Sequence, residues 1–389
     1  MNQDMRVAIV AESFLPQVNG VTNSVCHILD HLAAGGHEAI VLAPAGAPPA
    51  YAGFPVHPIP GLALPFYRSV SVGLLGGRIR GVLAAFKPDI VHLASPAVLG
   101  AAGATAAHRL GVPVVAVFQT DLAGFARRYG MGVAGRIIWS WLRRLHRRAA
   151  RTLAPSRATL RELSARGIPR LALWGRGVDL ERFHPSRRCE RLRHRLAPGG
   201  EVVVGYAGRL AAEKQVHRLA AVAGLPGVRL AVVGAGPSEK GLRRLLPEAE
   251  FLGLRTGVDL ARAVASFDVF VHTGSDETFC QAVQEALASG VPVVAPAAGG
   301  PLDLVRPEVN GLLYAPDDTS SLRAAVARLA GDAALRARMS RHARASVEGR
   351  AWPVLCEELL AHYRDILAIP APPPAPPAPE RRPDLAGGV

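Results

Sequence analysis

Arg6-Val7-Ala8-Ile9-Val10-Ala11 is a compact apolar run, followed by the loop Glu12 to Gly20 and then by Val21, Val25, Ile28, Leu29 and Leu32 at helical spacing. This order of strand, glycine-bearing loop and helix decides the fold class. Gly35-Gly36 closes the helix, and Glu38 to Ala43 predicts a strand without alternation, as a parallel strand covered on both faces requires. The same punctuation recurs at Asp89 to Leu93, Val112 to Phe118 and Thr152 to Ala154, which predicts one parallel sheet with crossover helices. A second series opens after the arginine-rich stretch Phe183 to Gly200. Glu201 to Tyr206 runs into Ala207-Gly208-Arg209, Val228 to Val233 into Gly234-Ala235-Gly236, and Asp268 to His272 and Val291 to Ala295 flank a helix at Gln281 to Ser289.

The expected architecture is therefore α/β: two Rossmann-like, doubly wound parallel-sheet domains facing each other across a cleft, residues 1–185 and 186–351. A terminal helix, 352–368, is expected to pack back on the N-terminal domain, and 369–389 is expected to be a proline-rich disordered tail, with eight prolines between Pro370 and Pro383.

Composition agrees with this division. The chain has 389 residues, enough for two or three domains at roughly 150 residues each. With 49% hydrophobic and 20% charged residues it is too apolar for disorder, and 40 Gly with 32 Pro is too much breaker content for a helical bundle. A net charge of +14 favours an anionic partner: a nucleotide, a nucleic acid or an acidic membrane surface. Cys26, Cys189, Cys280 and Cys356 form no disulfide framework and no metal-ligand spacing, so no metal site is expected. The N-terminus enters a strand instead of a signal-peptide core, and no run approaches the roughly 18 to 20 apolar residues of a spanning helix. A cytoplasmic protein with at most peripheral membrane contact is the expectation.

Several residues at the carboxyl ends of the expected strands carry polar chemistry. Gly20 opens the first helix, where it serves either a tight turn or the approach of a diphosphate to free backbone N–H groups. Arg209 and Lys214 flank the loop leaving the first strand of the second domain. They are either solvated loop charge or a clamp on a departing diphosphate, whose growing charge fixed cations stabilise. Glu277 and Glu285 bracket Thr278-Phe279-Cys280-Gln281. A carboxylate inside the otherwise apolar helix Ala282 to Leu287 is costly unless it faces a crevice, so Glu277 is assigned to sugar hydroxyls and Glu285 to a ribose, against the alternative of two surface acids. Phe118-Gln119-Thr120-Asp121 is either an ordinary strand exit or places Gln119 and Asp121 on sugar hydroxyls. Gln119 cannot be a general base, and His92 reads as a packed histidine.

Arg136 to Arg151 holds six arginines and no acid, interleaved with Ile137, Ile138, Trp139, Trp141, Leu142 and Leu145. Either one face packs while the other stays wet, or the helix lies on anionic lipid. No base-stacking platform accompanies the arginines, so nucleic acid is not an expected partner.

At these residues the chain resembles the retaining family-4 glycosyltransferases of GT-B fold, and among them the actinobacterial GDP-mannose-dependent α-mannosyltransferases. The resemblance runs from Met5 to about Leu367. It is carried by Ala11-Glu12-Ser13-Phe14-Leu15-Pro16 with Asn19-Gly20-Val21, Arg176-Gly177-Val178-Asp179, Gly208-Arg209-Leu210 with Glu213-Lys214, and Glu277 through Glu285 to Val294. It implies transfer of a hexose, mannose from GDP-mannose first, onto a hydroxyl of a glycolipid or other glycan. The nucleotide sugar is substrate, with no cofactor. Arg209 and Lys214 would hold the donor diphosphate, Glu277 the transferred sugar, Glu285 the ribose and Gly20 a phosphate, with Phe279, Cys280 and Gln281 beside them. The family often carries a histidine where this chain has Gln119, a departure shared by related mannosyltransferases. A UDP-glucose or UDP-sulfoquinovose donor, a phosphorylase or epimerase of similar fold, and a non-catalytic nucleotide-sugar or membrane-binding protein are the alternatives.

Overall fold

A computed structural model describes residues 4–60, 72–119 and 132–368. Two parallel sheets face each other. The first has eight strands: β1 (Arg6–Ala11), β2 (Glu38–Pro44), β3 (Ala50–Tyr51), β4 (Phe54–Ile59), β5 (Ile90–Ala94), β6 (Val114–Val117), β7 (Arg151–Ala154) and β8 (Leu171–Leu173). Their spatial order is β3-β4-β2-β1-β5-β6-β7-β8, with only the short β3 antiparallel. The second has six: β9 (Val202–Ala207), β10 (Val228–Val233), β11 (Glu250–Gly253), β12 (Val269–Val271), β13 (Val293–Pro296) and β14 (Gly311–Tyr314), in the order β11-β10-β9-β12-β13-β14.

Both orders reverse beside the first strand of their sheet. Val7 of β1 pairs with Ala39 of β2 on one side and Ile90 of β5 on the other. Gly205 of β9 pairs with Ala231 of β10 and Phe270 of β12. At such a switch point the loops leaving neighbouring strands diverge and open a crevice at the carboxyl ends. The two crevices meet in the cleft.

The nine strands expected from the apolar runs are all present, with ends shifted by a residue or two. Five strands escape the pattern: β3, β4, β8, β11 and β14. Pro55 and Pro58 in β4 argue against a central strand, and β8 has only three residues at an edge.

Helix α1 (Gly20–Ala34) buries Val25, Ile28, Leu29 and Leu32 against the first sheet, and its cap is Asn19, whose Oδ1 accepts from the backbone N–H of Val21 and Thr22 at 2.9 and 3.0 Å. The final helix, Trp352–Leu367, belongs to the same core. Leu355, Leu359, Leu360 and Tyr363 are buried beside Val25, Ile28 and Trp174. The Trp174 indole N–H donates to the carbonyl of Leu355 at 2.7 Å, and the Tyr363 hydroxyl lies 2.7 Å from Nδ1 of the fully buried His92. His92 is thus a packed residue whose pKa burial pushes down to about 3. The chain therefore crosses between the sheets twice, and the crossings touch: Val178 bridges Ala351, and its N–H donates to Arg350 at 2.8 Å.

Removing the fully buried Leu359 side chain by Leu359→Ala leaves a cavity under that helix. We expect a loss of about 2–5 kcal/mol, read as a lower urea midpoint.

Candidate active site

The cleft between the sheets holds a cavity of about 860 Å³ lined from both sides. From the first sheet come Glu12, Asn19 and Gly20 after β1, Ser95 and Ala97 after β5, and Gln119 after β6. From the second come Gly208, Arg209 and Lys214 after β9, Gly234 after β10, and His272, Glu277 to Ala282 and Glu285 after β12. Arg176, on the outgoing crossing, closes the floor.

The strongest contact here is between Lys214 and Glu277, whose Nζ and Oε1 lie 2.6 Å apart. Lys214 is fixed from behind, since Thr273 Oγ1 donates to its carbonyl at 2.7 Å. Nε2 of His272 lies 3.5 Å from the same Glu277 oxygen. Burial opposes ionisation of Glu277, but the Lys214 ammonium and His272 outweigh it and hold the carboxyl well below the usual range. Burial likewise opposes charge on His272, which Cys280 and Glu277 raise instead. Glu277 is therefore an ionised carboxylate on the cleft wall.

Arg209 stands apart from that pair. Its side chain is 59% exposed, and Nη1 approaches Glu213 at 3.4 Å. Glu285 half-buries in the cavity wall on helix Gln281–Ala288, and burial lifts its carboxyl to about 7 against the lowering influence of Gln281, Arg182 and Arg176. Cys280, at φ 80°, precedes that helix, while Phe279 is 1% exposed and its ring is part of the second core. Gln281 Nε2 donates to the carbonyl of Gly177 at 3.0 Å, so that side chain ties the helix to the crossing segment. Gly300 packs on the same loop: its N–H donates to Glu277 at 2.8 Å, and a Cβ there would lie 1.9 Å from the Phe279 carbonyl.

On the facing wall, the backbone carbonyl of Gln119 accepts from Thr278 Oγ1 at 3.1 Å, a bond between the two domains. Gly20 lines the cavity, and a Cβ on it would meet Arg176 Nη1 at 2.7 Å, so its lack of a side chain makes room for the guanidinium. Asp121, expected beside Gln119, lies outside the described residues, as does the proline-rich segment.

Three further polar residues of the cavity stand out among those not singled out from the sequence as site residues. Glu12 accepts from the N–H groups of Ala97 and Gly100 at 2.6 and 2.7 Å, which caps a helix with a carboxylate inside the cleft. His272 and Arg176 are the others. Their signal was positional: Glu12 and His272 immediately follow strands β1 and β12 beside the switch points. His272, Glu277 and Cys280 also bring one potential metal-ligand atom each within 4.8 Å of one another. In this structure the Lys214 ammonium is the cation that neutralises Glu277.

Outside the cleft, helix Gly132–His146 buries Trp139, Leu142 and Leu145 and exposes Arg136, Ile137, Arg143 and Arg144. Arg151, at the end of the basic run, pairs with Asp365 at 3.1 Å. Among the described residues no helix is long and apolar enough to cross a membrane.

Two facing parallel sheets with a charged cavity at both sets of carboxyl ends define the class, and comparison with known proteins names it. Residues 18–182 match the model of Glycosyltransferase Family 4, and residues 190–346 that of Glycosyl transferases group 1. The chain belongs to the family-4 glycosyltransferases and is an enzyme of that family. A protein of Mycolicibacterium smegmatis named GDP-mannose-dependent alpha-mannosyltransferase is 54% identical over 370 residues, which span 93% of this chain and 98% of the relative. Its namesake from Mycobacterium tuberculosis is 52% identical over 93% of this chain and 97% of its own. In fold, sucrose-phosphate synthase from Thermosynechococcus elongatus superposes with a TM-score of 0.79 at 19% identity, covering 94% of this chain and 99% of that one.

Glu285 offers a pH test. Its carboxyl is raised to about 7 in the folded chain from an ordinary 4.5, so the folded state binds the proton more tightly than the unfolded. Stability must then fall as pH rises between those values. Glu285→Gln should raise the urea midpoint at pH 8, by on the order of 1 kcal/mol, and leave it nearly unchanged at pH 4. Equal effects at both would show that the carboxyl titrates normally.

Proposed function

We propose that the protein transfers mannose from GDP-mannose to a hydroxyl of a glycolipid or other glycan, with retention at the anomeric carbon. The observation that carries this reading is the Lys214–Glu277 pair in the cavity where both sheets converge, in a chain over half identical to GDP-mannose-dependent enzymes. On this reading the second domain, 186–351, holds the nucleotide sugar and the first, 1–185, receives the acceptor.

Lys214 and Arg209 neutralise the diphosphate, and their effect grows as the bond from the anomeric carbon to the phosphate oxygen breaks. No metal is required for that step. Arg209, exposed on its loop, turns onto the diphosphate when the donor arrives. Glu277, kept ionised, accepts from hydroxyls of the transferred sugar, and Glu285 from the ribose. Phe279, Cys280 and Gln281 shape the loop that carries both acids, and Gly20 brings the first helix N-terminus, with the Arg176 guanidinium against it, to the phosphate. Gln119 lines the sugar from the opposite wall, and Asp121 is proposed from the sequence alone to accept from its hydroxyls.

No carboxylate of the cavity is assigned as a covalent nucleophile on this reading, since Glu277 is given to the sugar hydroxyls and Glu285 to the ribose. The acceptor hydroxyl instead attacks the anomeric carbon from the face the phosphate leaves, the departing phosphate oxygen takes the hydroxyl proton, and GDP is released. The exposed arginines of helix Gly132–His146 fit an anionic membrane surface, which would place the enzyme at the inner face of the plasma membrane beside a lipid acceptor.

Lys214→Ala and Glu277→Ala should each reduce transfer to below about 1% of wild type with the far-ultraviolet circular dichroism unchanged. Normal turnover in both variants would remove the site assignment. Presented with GDP-mannose, GDP-glucose, UDP-glucose and UDP-sulfoquinovose, the protein should consume GDP-mannose; consumption of a UDP-sugar alone would overturn the donor. Sedimentation with vesicles should increase with anionic lipid and fall with salt, whereas indifference to both leaves the helix as packing.

A further inference from the structure

We propose that Arg176 is a positioning residue that fixes the side-chain amide of Gln119 with its N–H groups directed at the bound sugar. The inference rests on the transferase reading above.

Gln119 is 8% exposed, and Arg176 Nη2 lies 2.9 Å from its Oε1. A guanidinium carries donors only, so the amide atom facing it must be the carbonyl oxygen. That settles which way the amide is turned. Nε2 is then the amide atom left over, and among the described residues it is buried without a hydrogen-bond partner. A buried amide donor left unpaired is rare in a folded protein and calls for an explanation. Here both residues line the same cavity as Lys214 and Glu277, which supplies one: an oxygen of the occupant completes the pair.

Arg176 is itself held on every side. Its Nη2 also donates to the carbonyl of Gly20 and, at 3.1 Å, to Oγ of the buried Ser24, while its Nε lies 3.3 Å from the same Oγ. The backbone carbonyl of Arg176 accepts from Gln284 Nε2 at 2.9 Å, which ties the residue to the helix that bears Glu285. Missing the Cβ, Gly20 leaves the space the guanidinium fills. Burial pulls the Arg176 pKa down to about 10 against Glu285 and Glu277, so the group keeps its charge at neutral pH. A charged donor held against Oε1 removes the two-fold freedom of the amide. Without that grip the amide can turn and present Oε1, an acceptor, where a donor is wanted.

A double-mutant cycle separates this role from simple bracing of α1. The single variants are Arg176→Met and Gln119→Ala, combined in the third; kcat and donor KM are measured for each, with thermal midpoints to establish folding. Arg176→Met should lower kcat at least about tenfold in the wild-type background and less than about twofold when Gln119 is already alanine, with donor KM within about threefold throughout. If Arg176→Met does not fold, Arg176→Lys replaces it in the same cycle, because a single ammonium keeps the charge but not the fork. Equal losses in both backgrounds would overturn the proposal and leave Arg176 as a brace for the helix. A wild-type protein that turns over none of the four donors overturns the transferase reading and this role together; an active wild type with an additive cycle overturns this role alone.

Discussion

The return of the last helix to the first domain is the constraint on which the arrangement depends. Trp352–Leu367 completes a core with α1 and Trp174, and its burial cannot be met by the second domain because the partners are strands and helices of the first. The chain is thereby forced to cross between the sheets twice at one place, where Val178 and Ala351 pair. With the crossings pinned side by side, the carboxyl ends of the two sheets are turned toward each other. Every residue of the cavity owes its position to that orientation.

Within the cavity, charge is arranged with its compensation built in. Lys214 and Glu277 neutralise one another at 2.6 Å, with His272 behind, so neither is stranded in a low-dielectric wall before substrate arrives. Glu285 has no comparably close cation among the described residues and holds its proton to about pH 7, while burial pushes the Glu12 carboxyl up against the backbone N–H groups that donate to it. Burial thus opposes charge on all three carboxyl groups in the cleft, and only for Glu277 does an ion pair outweigh it.

The parallel strands at the centre of each sheet were legible because burial on both faces writes them as unbroken apolar runs, as in Val7 to Ala11 or Val228 to Val233. Edge strands were not: Phe54–Ile59 carries two prolines and meets the sheet on one side by a two-residue partner. Gln119, Lys214 and Glu277 could be placed near the cleft because each follows a strand end by a few residues, and Glu285 because it is a carboxylate in an otherwise apolar helix. Arg176 could not be read the same way. Its guanidinium meets Gly20 and Gln119, 156 and 57 positions away, and only the crossing of the chain brings them together. The Lys214–Glu277 contact, over 63 positions, was invisible for the same reason, although both residues were singled out.

The double crossing also has a consequence for the order of synthesis. In sequence, the second sheet is an uninterrupted block, whereas the first is closed by a helix that lies beyond it. Domains fold as units while the chain emerges, ordinarily beginning with the N-terminal one. Here the domain whose strands leave the ribosome first must wait for the final helix, with the apolar surface under Leu355, Leu359 and Tyr363 uncovered in the meantime. The half that is started first is the half that is finished last.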